Sequence, residues 1–258
     1  MKILILGDIF GEPGRNAIQK HLKSLKEKYD ADFVIANGEN CTHGRGLNLE
    51  HYNLLKEAGI DCITLGNHFF SRDDSNYYFL NTPCLIRPFN INPYSSGEGS
   101  REFVVNNKKV RVTCLLGVSY MKEVGQVNPF YIIDDFINEN KADINIIEYH
   151  GEVCSEKLAF ANYVDSKVSL VFGTHTHIQT ADEQILNGGT GFISDIGMCG
   201  PINSIIGSKK EGVIKKYKGL PSKFEVADGP CMLCGIICEF DDNTNKIIKI
   251  ERIKFIEE

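Results

Sequence analysis

The sequence predicts an α/β fold in which a mixed sheet system is covered by helices. Three observations predict it. Short apolar runs recur along the chain, segments with helical spacing lie between many of them, and most runs end in a small polar cluster.

KILIL (2–6) is an almost continuous apolar run stopped by Gly7-Asp8, as expected of a strand buried on both faces. Residues 14–28 carry apolar side chains at 17, 18, 22 and 25, the spacing of one helix face. The plan then repeats: strand DFVIAN (32–37), a loop, a helix around 48–58, and strand DCITLGN (61–67). Strands alternating with helices of this length indicate βαβ crossovers and parallel pairing. REFVVNNKKVRVTCLLG (101–117) reads as two strands around an Asn-Asn-Lys turn. Residues 130–140 form a helix, and strands ADINIIEYH (142–150) and KVSLVFG (167–173) flank another near 155–165. Strands close the chain at 190–195, 231–240 and 246–255, the last two joined by DDNTN. Residues 196–224, with Gly, Pro, Ser and Lys, read as a long, partly mobile excursion. There is no internal repeat or low-complexity linker, so 1–258 is expected to be a single domain.

Composition narrows the function classes. Lys plus Arg total 28 against 34 Asp plus Glu, a formal charge of −6, which argues against double-stranded DNA as a partner. A small anionic ligand stays open, because a metal supplies positive charge locally. Nine cysteines, several inside apolar runs, read as free buried thiols in a reducing compartment. The first apolar run is broken by Asp8, and no stretch approaches the roughly 20 apolar residues that span a bilayer. A cytoplasmic location away from membranes is the expectation. Apolar edge strands and residues 196–224 offer surfaces for a homo-oligomer.

The polar clusters are GD (7–8), NGEN (37–40), GNH (66–68), EYHGE (148–152) and GTHTH (173–177). Parallel crossovers bring the carboxyl ends of strands to one edge, where ligands sit in open α/β sheets. Asp8 and Glu39 offer anionic oxygens, Asn40 and Asn67 amide oxygens, and His150, His175 and His177 imidazole nitrogens. Seven such groups exceed what one ion needs and suit two ions of nitrogen/oxygen preference. Glu39 has the reach to bridge them. A tight turn at Gly173–Thr176 is expected to give His175 and His177 each its own ion.

Other features read as structural. GDIFGEPGR lacks the spacing of a nucleotide loop. Cys231-x2-Cys234-x3-Cys238 lies on a strand that splits the thiols between two faces, which favours core packing over a cluster. Among Glu148, Glu152, Glu156, Asp182 and Asp195, Glu152 and Asp182 are candidates to orient a ligating histidine. Arg45 is placed to contact phosphate and His43 to line the pocket.

With these motifs in this order, the chain resembles the calcineurin-like metallophosphoesterase superfamily. It departs from the usual pattern at two places. Asp8-Ile9-Phe10 lacks the histidine of Asp-x-His, and Asn37-Gly38-Glu39-Asn40 replaces the motif with the bridging aspartate. Both departures resemble the YmdB-type branch, which implies 2′,3′-cyclic-nucleotide phosphodiesterase activity. The resemblance also implies an α/β/β/α sandwich with mixed sheets flanked by helices. One ion would take Asp8, Glu39, Asn40 and His177, with Asn40 replacing the histidine missing at position 10; the other would take Glu39, Asn67, His150 and His175. Iron or manganese is expected ahead of zinc. His68 would stay off the metals and assist the leaving group as the catalytic residue, while a hydroxide shared by the ions attacks phosphorus. Competing expectations are a phosphomonoesterase or RNA-end phosphoesterase, and a regulatory binding protein with weak turnover on the same fold.

Overall fold

A computed structural model describes residues 1–69, 71, 82–91, 96–121, 126–139 and 141–257. The first half runs β1 (Lys2–Leu6), β2 (Asp8–Ile9), α1 (Gly11–Tyr29), β3 (Phe33–Asn37), α2 (Leu49–Glu57), β4 (Cys62–Thr64) and β5 (Leu85–Ile86). A hairpin follows, β6 (Ser100–Val105) and β7 (Lys108–Leu116), then α3 (Pro129–Glu139), β8 (Ile144–His150), α4 (Cys154–Tyr163) and β9 (Leu170–Thr174). The last part holds β10 (Gln184–Ile185), β11 (Gly191–Ile193), β12 (Met198–Pro201), α5 (Lys210–Tyr217), β13 (Cys231–Phe240) and β14 (Ile247–Ile256).

The strands form two mixed sheets rather than one connected system. The first has the order β2-β12-β13-β1-β3-β4-β5, with β14 on β13, and the second β10-β11-β9-β8-β7-β6. Each contains a parallel run: β1, β3, β4 and β5 in the first, and β7, β8, β9 and β11 in the second. The two-residue period of a strand explains the layering. Ile3 and Ile5, Phe33 and Ile35, Val110 and Val112, Ile144 and Ile146, and Leu170 and Phe172 all enter one core between the sheets. Their neighbours Leu4, Leu6, Val34 and Ala36 face a second core with Ala17, Ile18, Leu22 and Leu25 of α1. Ile147, Tyr149 and Val171 face a third core with Ile133 of α3 and Phe160 of α4. The order of layers is therefore helix, sheet, sheet, helix, the α/β/β/α sandwich.

The hairpin turn has Asn106 at φ 49° and Asn107 at φ 62°, the left-handed pair that a two-residue type I′ turn needs. The 196–224 segment corrects an expectation. It is no simple excursion, because β12 within it is buried throughout and pairs with both β2 and β13. Seven of the nine cysteines are buried, and all nine are free. Cys231 joins the α1-side core and Cys238 the inter-sheet core, as the strand period requires. Among the described residues no helix is long and apolar enough to cross a membrane.

Candidate metal centre

The carboxyl ends of the two parallel runs lie together. Asp8 follows β1, Glu39 and Asn40 follow β3, and Asn67 follows β4; His150 ends β8, while His175 and His177 follow β9. The turn expected in GTHTH is present, with His175 at φ 96° and His177 at φ 64°. It sends the two imidazoles to different neighbours.

One group gathers around His150. Its Nε2 lies 3.0 Å from Glu39 Oε1, 3.1 Å from Asn67 Oδ1 and 3.1 Å from His175 Nδ1. Glu39, His150 and His175 offer ligand atoms all within 4.8 Å of one another. The hydrogen bonds behind these atoms fix their character. Thr174 Oγ1 donates to Glu148 Oε1 at 2.6 Å, so it must accept from His150 Nδ1 at 2.8 Å. A neutral His150 then presents a lone pair at Nε2. His175 directs Nε2 at Glu152 Oε2, 3.0 Å away, and so presents Nδ1 to the group as a lone pair.

A second group gathers around His177. Its Nδ1 donates to the Ile206 carbonyl at 2.9 Å, leaving Nε2 3.2 Å from Asn40 Oδ1 and 3.8 Å from Asp8 Oδ1. The Asn40 amide nitrogen donates to the Gly44 carbonyl at 3.2 Å, which turns its oxygen to the group. Asp8 Oδ1 is buried with no hydrogen-bond partner among the described residues, although Asp8 Oδ2 accepts from the His175 N–H at 3.3 Å.

Acceptors facing acceptors are costly in a buried place unless positive charge lies among them. The protonation equilibria show the same demand. Burial pushes the Asp8 carboxyl up to about 7, against the pull of His177 and His150. At His150 burial is outweighed by Glu39 and Glu148, which push the imidazole up to about 10. His175 moves the other way, to about 3, through burial and the neighbouring His150. The donor set fits a cation of nitrogen/oxygen preference, with Glu39, His150 and His175 as a group that could hold one.

The surroundings hold these groups in place. Asn37 accepts from the Glu39 N–H at 2.9 Å and donates to Glu148 at 2.7 Å, linking the β3 and β8 ends. Below the GTHTH loop, buried Lys157 of α4 contacts Asp195 at 3.0 Å and donates to the Thr174 carbonyl at 2.7 Å. Asp195 in turn accepts from the Thr176 N–H at 3.1 Å. Of the two candidate orienting carboxylates, Glu152 touches a histidine, whereas Asp182 instead accepts from Ser194 and Thr180. Thr174, Lys157 and the Ile206 carbonyl are supports that the sequence reading did not single out. A threonine inside GTHTH was the available signal; a lysine on a helix and a backbone carbonyl gave none.

Glu39, Asn40, His175 and His177 line one side of a cavity of about 670 Å³, whose lining also includes His43, Arg45, His68, Lys216 and Phe224. His68 donates its backbone N–H to Glu39 Oε2 at 3.1 Å, and its Nδ1 is buried without a hydrogen-bond partner among the described residues. Arg45 donates to Ser71 Oγ at 3.1 Å.

The profile described as YmdB-like protein matches residues 4–253. The 2′,3′-cyclic-nucleotide 2′-phosphodiesterase of Bacillus subtilis is 40% identical over 256 residues, covering 98% of this chain and 96% of that protein. A crystal structure of a novel phosphatase from Mycoplasma pneumoniae superposes with a TM-score of 0.95 at 41% identity, covering 100% of this chain and 94% of that one. A 5′-nucleotidase precursor from Thermus thermophilus shares the fold at a TM-score of 0.56 and 11% identity, over 99% of this chain and 54% of its own.

Proposed function

The chain belongs to the YmdB-like protein family, and from that premise we propose that it is a two-metal phosphodiesterase acting on 2′,3′-cyclic nucleotides. The substrate class comes from the name of the Bacillus subtilis relative. The observation that carries the reading is the pair of acceptor groups beside one cavity, each with its hydrogen-bond donors turned outward. Asp8, Asn40 and His177 would hold one ion, Asn67, His150 and His175 the other, with Glu39 shared. The resemblance to the YmdB-type branch puts iron and manganese ahead of zinc. When bound, such ions supply a nucleophile at neutral pH and offset charge on phosphoryl oxygens.

The chain's own groups do the rest. Glu148, through Thr174, keeps the His150 ring in one tautomer, and Glu152 does so for His175. Arg45 and Lys216 bring positive charge to the cavity and favour an anionic substrate. His68, tied to Glu39 through its backbone, lines the same cavity and protonates the departing ribose oxygen. Because the cyclic ester is opened, that oxygen stays on the product as a hydroxyl.

A panel of 2′,3′-cyclic, 3′,5′-cyclic and nitrophenyl phosphate esters, with RNA ends added, tests the substrate class. The 2′,3′-cyclic nucleotide should lead, and chelation should abolish turnover. His68→Ala should lose about 10²–10⁴ in rate while keeping its metal. Glu39→Ala should lose more, because its carboxylate would serve both ions. Metal lost together with activity in His68→Ala would make His68 a ligand and remove the proposed role.

A further inference from the structure

We propose that Phe224 is the platform on which the base of the nucleotide stacks, so that the segment carrying it sets the preference for nucleotides over smaller phosphate esters. The proposal rests on the diesterase reading and deepens it. Phe224 lines the same cavity as His68 and His177, yet it is 53% exposed. A half-exposed phenyl ring beside a polar site leaves apolar surface in water, and a flat heterocycle is the ligand chemistry that covers it. Ile206 and Val226 extend the apolar wall. The cavity volume falls within the ~300–1,000 Å³ of small-ligand sites.

The ring is positioned by its surroundings. Ser208 and Val226 form an antiparallel bridge, and the Lys209 N–H donates to the Glu225 carbonyl at 2.8 Å. Lys209 Nζ also pairs with the Glu225 carboxylate at 3.1 Å. Lys216 Nζ sits 4.7 Å from the Phe224 ring centroid and takes up one face. Tyr217, next to Lys216, is an ordinary surface aromatic: it is 86% exposed and is not part of the cavity wall. It serves as the control.

The test compares metal-loaded wild type with Phe224→Ala, Phe224→Tyr and Tyr217→Ala on two substrates. One is adenosine 2′,3′-cyclic phosphate; the other is methyl riboside 2,3-cyclic phosphate, which has no base. The readout is the ratio of their kcat/KM values. Loss of one base stack should lower that ratio about 5- to 100-fold in Phe224→Ala, mainly through KM. Phe224→Tyr should keep the ratio, and so should Tyr217→Ala. A folded Phe224→Ala with a ratio within about twofold of wild type overturns the proposal. If wild type opens neither ester, the diesterase reading fails, and the platform is judged by calorimetric binding of adenosine 3′-monophosphate. Weaker binding to Phe224→Ala then supports the platform, and equal binding overturns it.

Discussion

Gly66→Ala should disable the centre while sparing the fold. Gly66 follows β4, and a Cβ at this position would lie 2.3 Å from Glu39 Oε2 and 2.3 Å from His150 Nε2. Ordinary contact begins near 3.4 Å, so each atom must retreat by about 1 Å to make room. Neither is free to do so: Glu39 Oε2 accepts from the His68 N–H, and His150 is pinned by Thr174. Metal–ligand distances tolerate only about 0.2 Å. Displacements several times larger, at two candidate ligands together, should weaken metal binding by about 100-fold and turnover by at least as much.

The assay is metal content after desalting, followed by manganese titration against a competing chelator, with circular dichroism to check the fold. The atoms nearest the added methyl belong to Glu39 and His150 rather than to an apolar core side chain, so the spectrum should match wild type. A Gly66→Ala protein that holds manganese within about threefold of wild-type affinity would refute the reasoning, since the methyl group has nowhere else to go.

Two further outcomes follow from groups outside the ligand set. Lys157→Met leaves Asp195 buried and unpaired beneath the GTHTH loop, and breaking such a pair costs about 3–5 kcal/mol; a thermal midpoint roughly 10 °C lower is expected, and a change of under about 2 °C would show that the pair holds little. At Glu156 burial alone would raise the carboxyl, but the Tyr149 hydroxyl and the Val118 and Ser119 N–H groups outweigh it and hold it below its ordinary 4.5. The stability this gives is present above about pH 4.5 and disappears as pH falls through the lower folded value. After allowance for its partial exposure, Glu156→Gln should cost about 1 kcal/mol at pH 7 and progressively less below pH 4.5; a pH-independent difference in denaturation midpoints would contradict this.

Much of this arrangement is legible in the sequence because burial on two faces leaves a plain mark. KILIL and DFVIAN read as strands since both alternating sets of residues are apolar. The same property hides the separation into two sheets: when each face is apolar, nothing in Ile3 or Leu4 says which core it enters. β2 and β12 were missed for a different reason. They are two and four residues long, and Met198–Pro201 contains a glycine and a proline that suggest a loop. The polar residues ending the apolar runs were visible one by one, whereas their supports were not. His177 is oriented by a backbone carbonyl at Ile206 and His175 by Glu152, and only coordinates distinguish Glu152 from Asp182.

The choice of amides in this centre follows from where it lies. Each acceptor group draws on both sheets: Glu39 and Asn67 from the first with His150 and His175 from the second, and Asp8 and Asn40 from the first with His177 from the second. Positive charge placed in either group therefore ties the two sheets together at one edge of their shared core. Without it, burial disfavours the Asp8 charge, and Glu39 keeps its own by holding a proton on His150. Asn40 and Asn67 offer oxygen ligands at no such cost, and the centre has only Asp8 and Glu39 as carboxylates among the seven candidate ligands. The absence of a histidine at position 10 belongs to the same arrangement, for Phe10 occupies that place and packs edge-on against His177 at 5.5 Å between ring centroids. A phenyl ring there leaves the Asn40 amide oxygen as the neutral oxygen facing His177 and Asp8, and helps keep His177 in the orientation that points Nε2 at them.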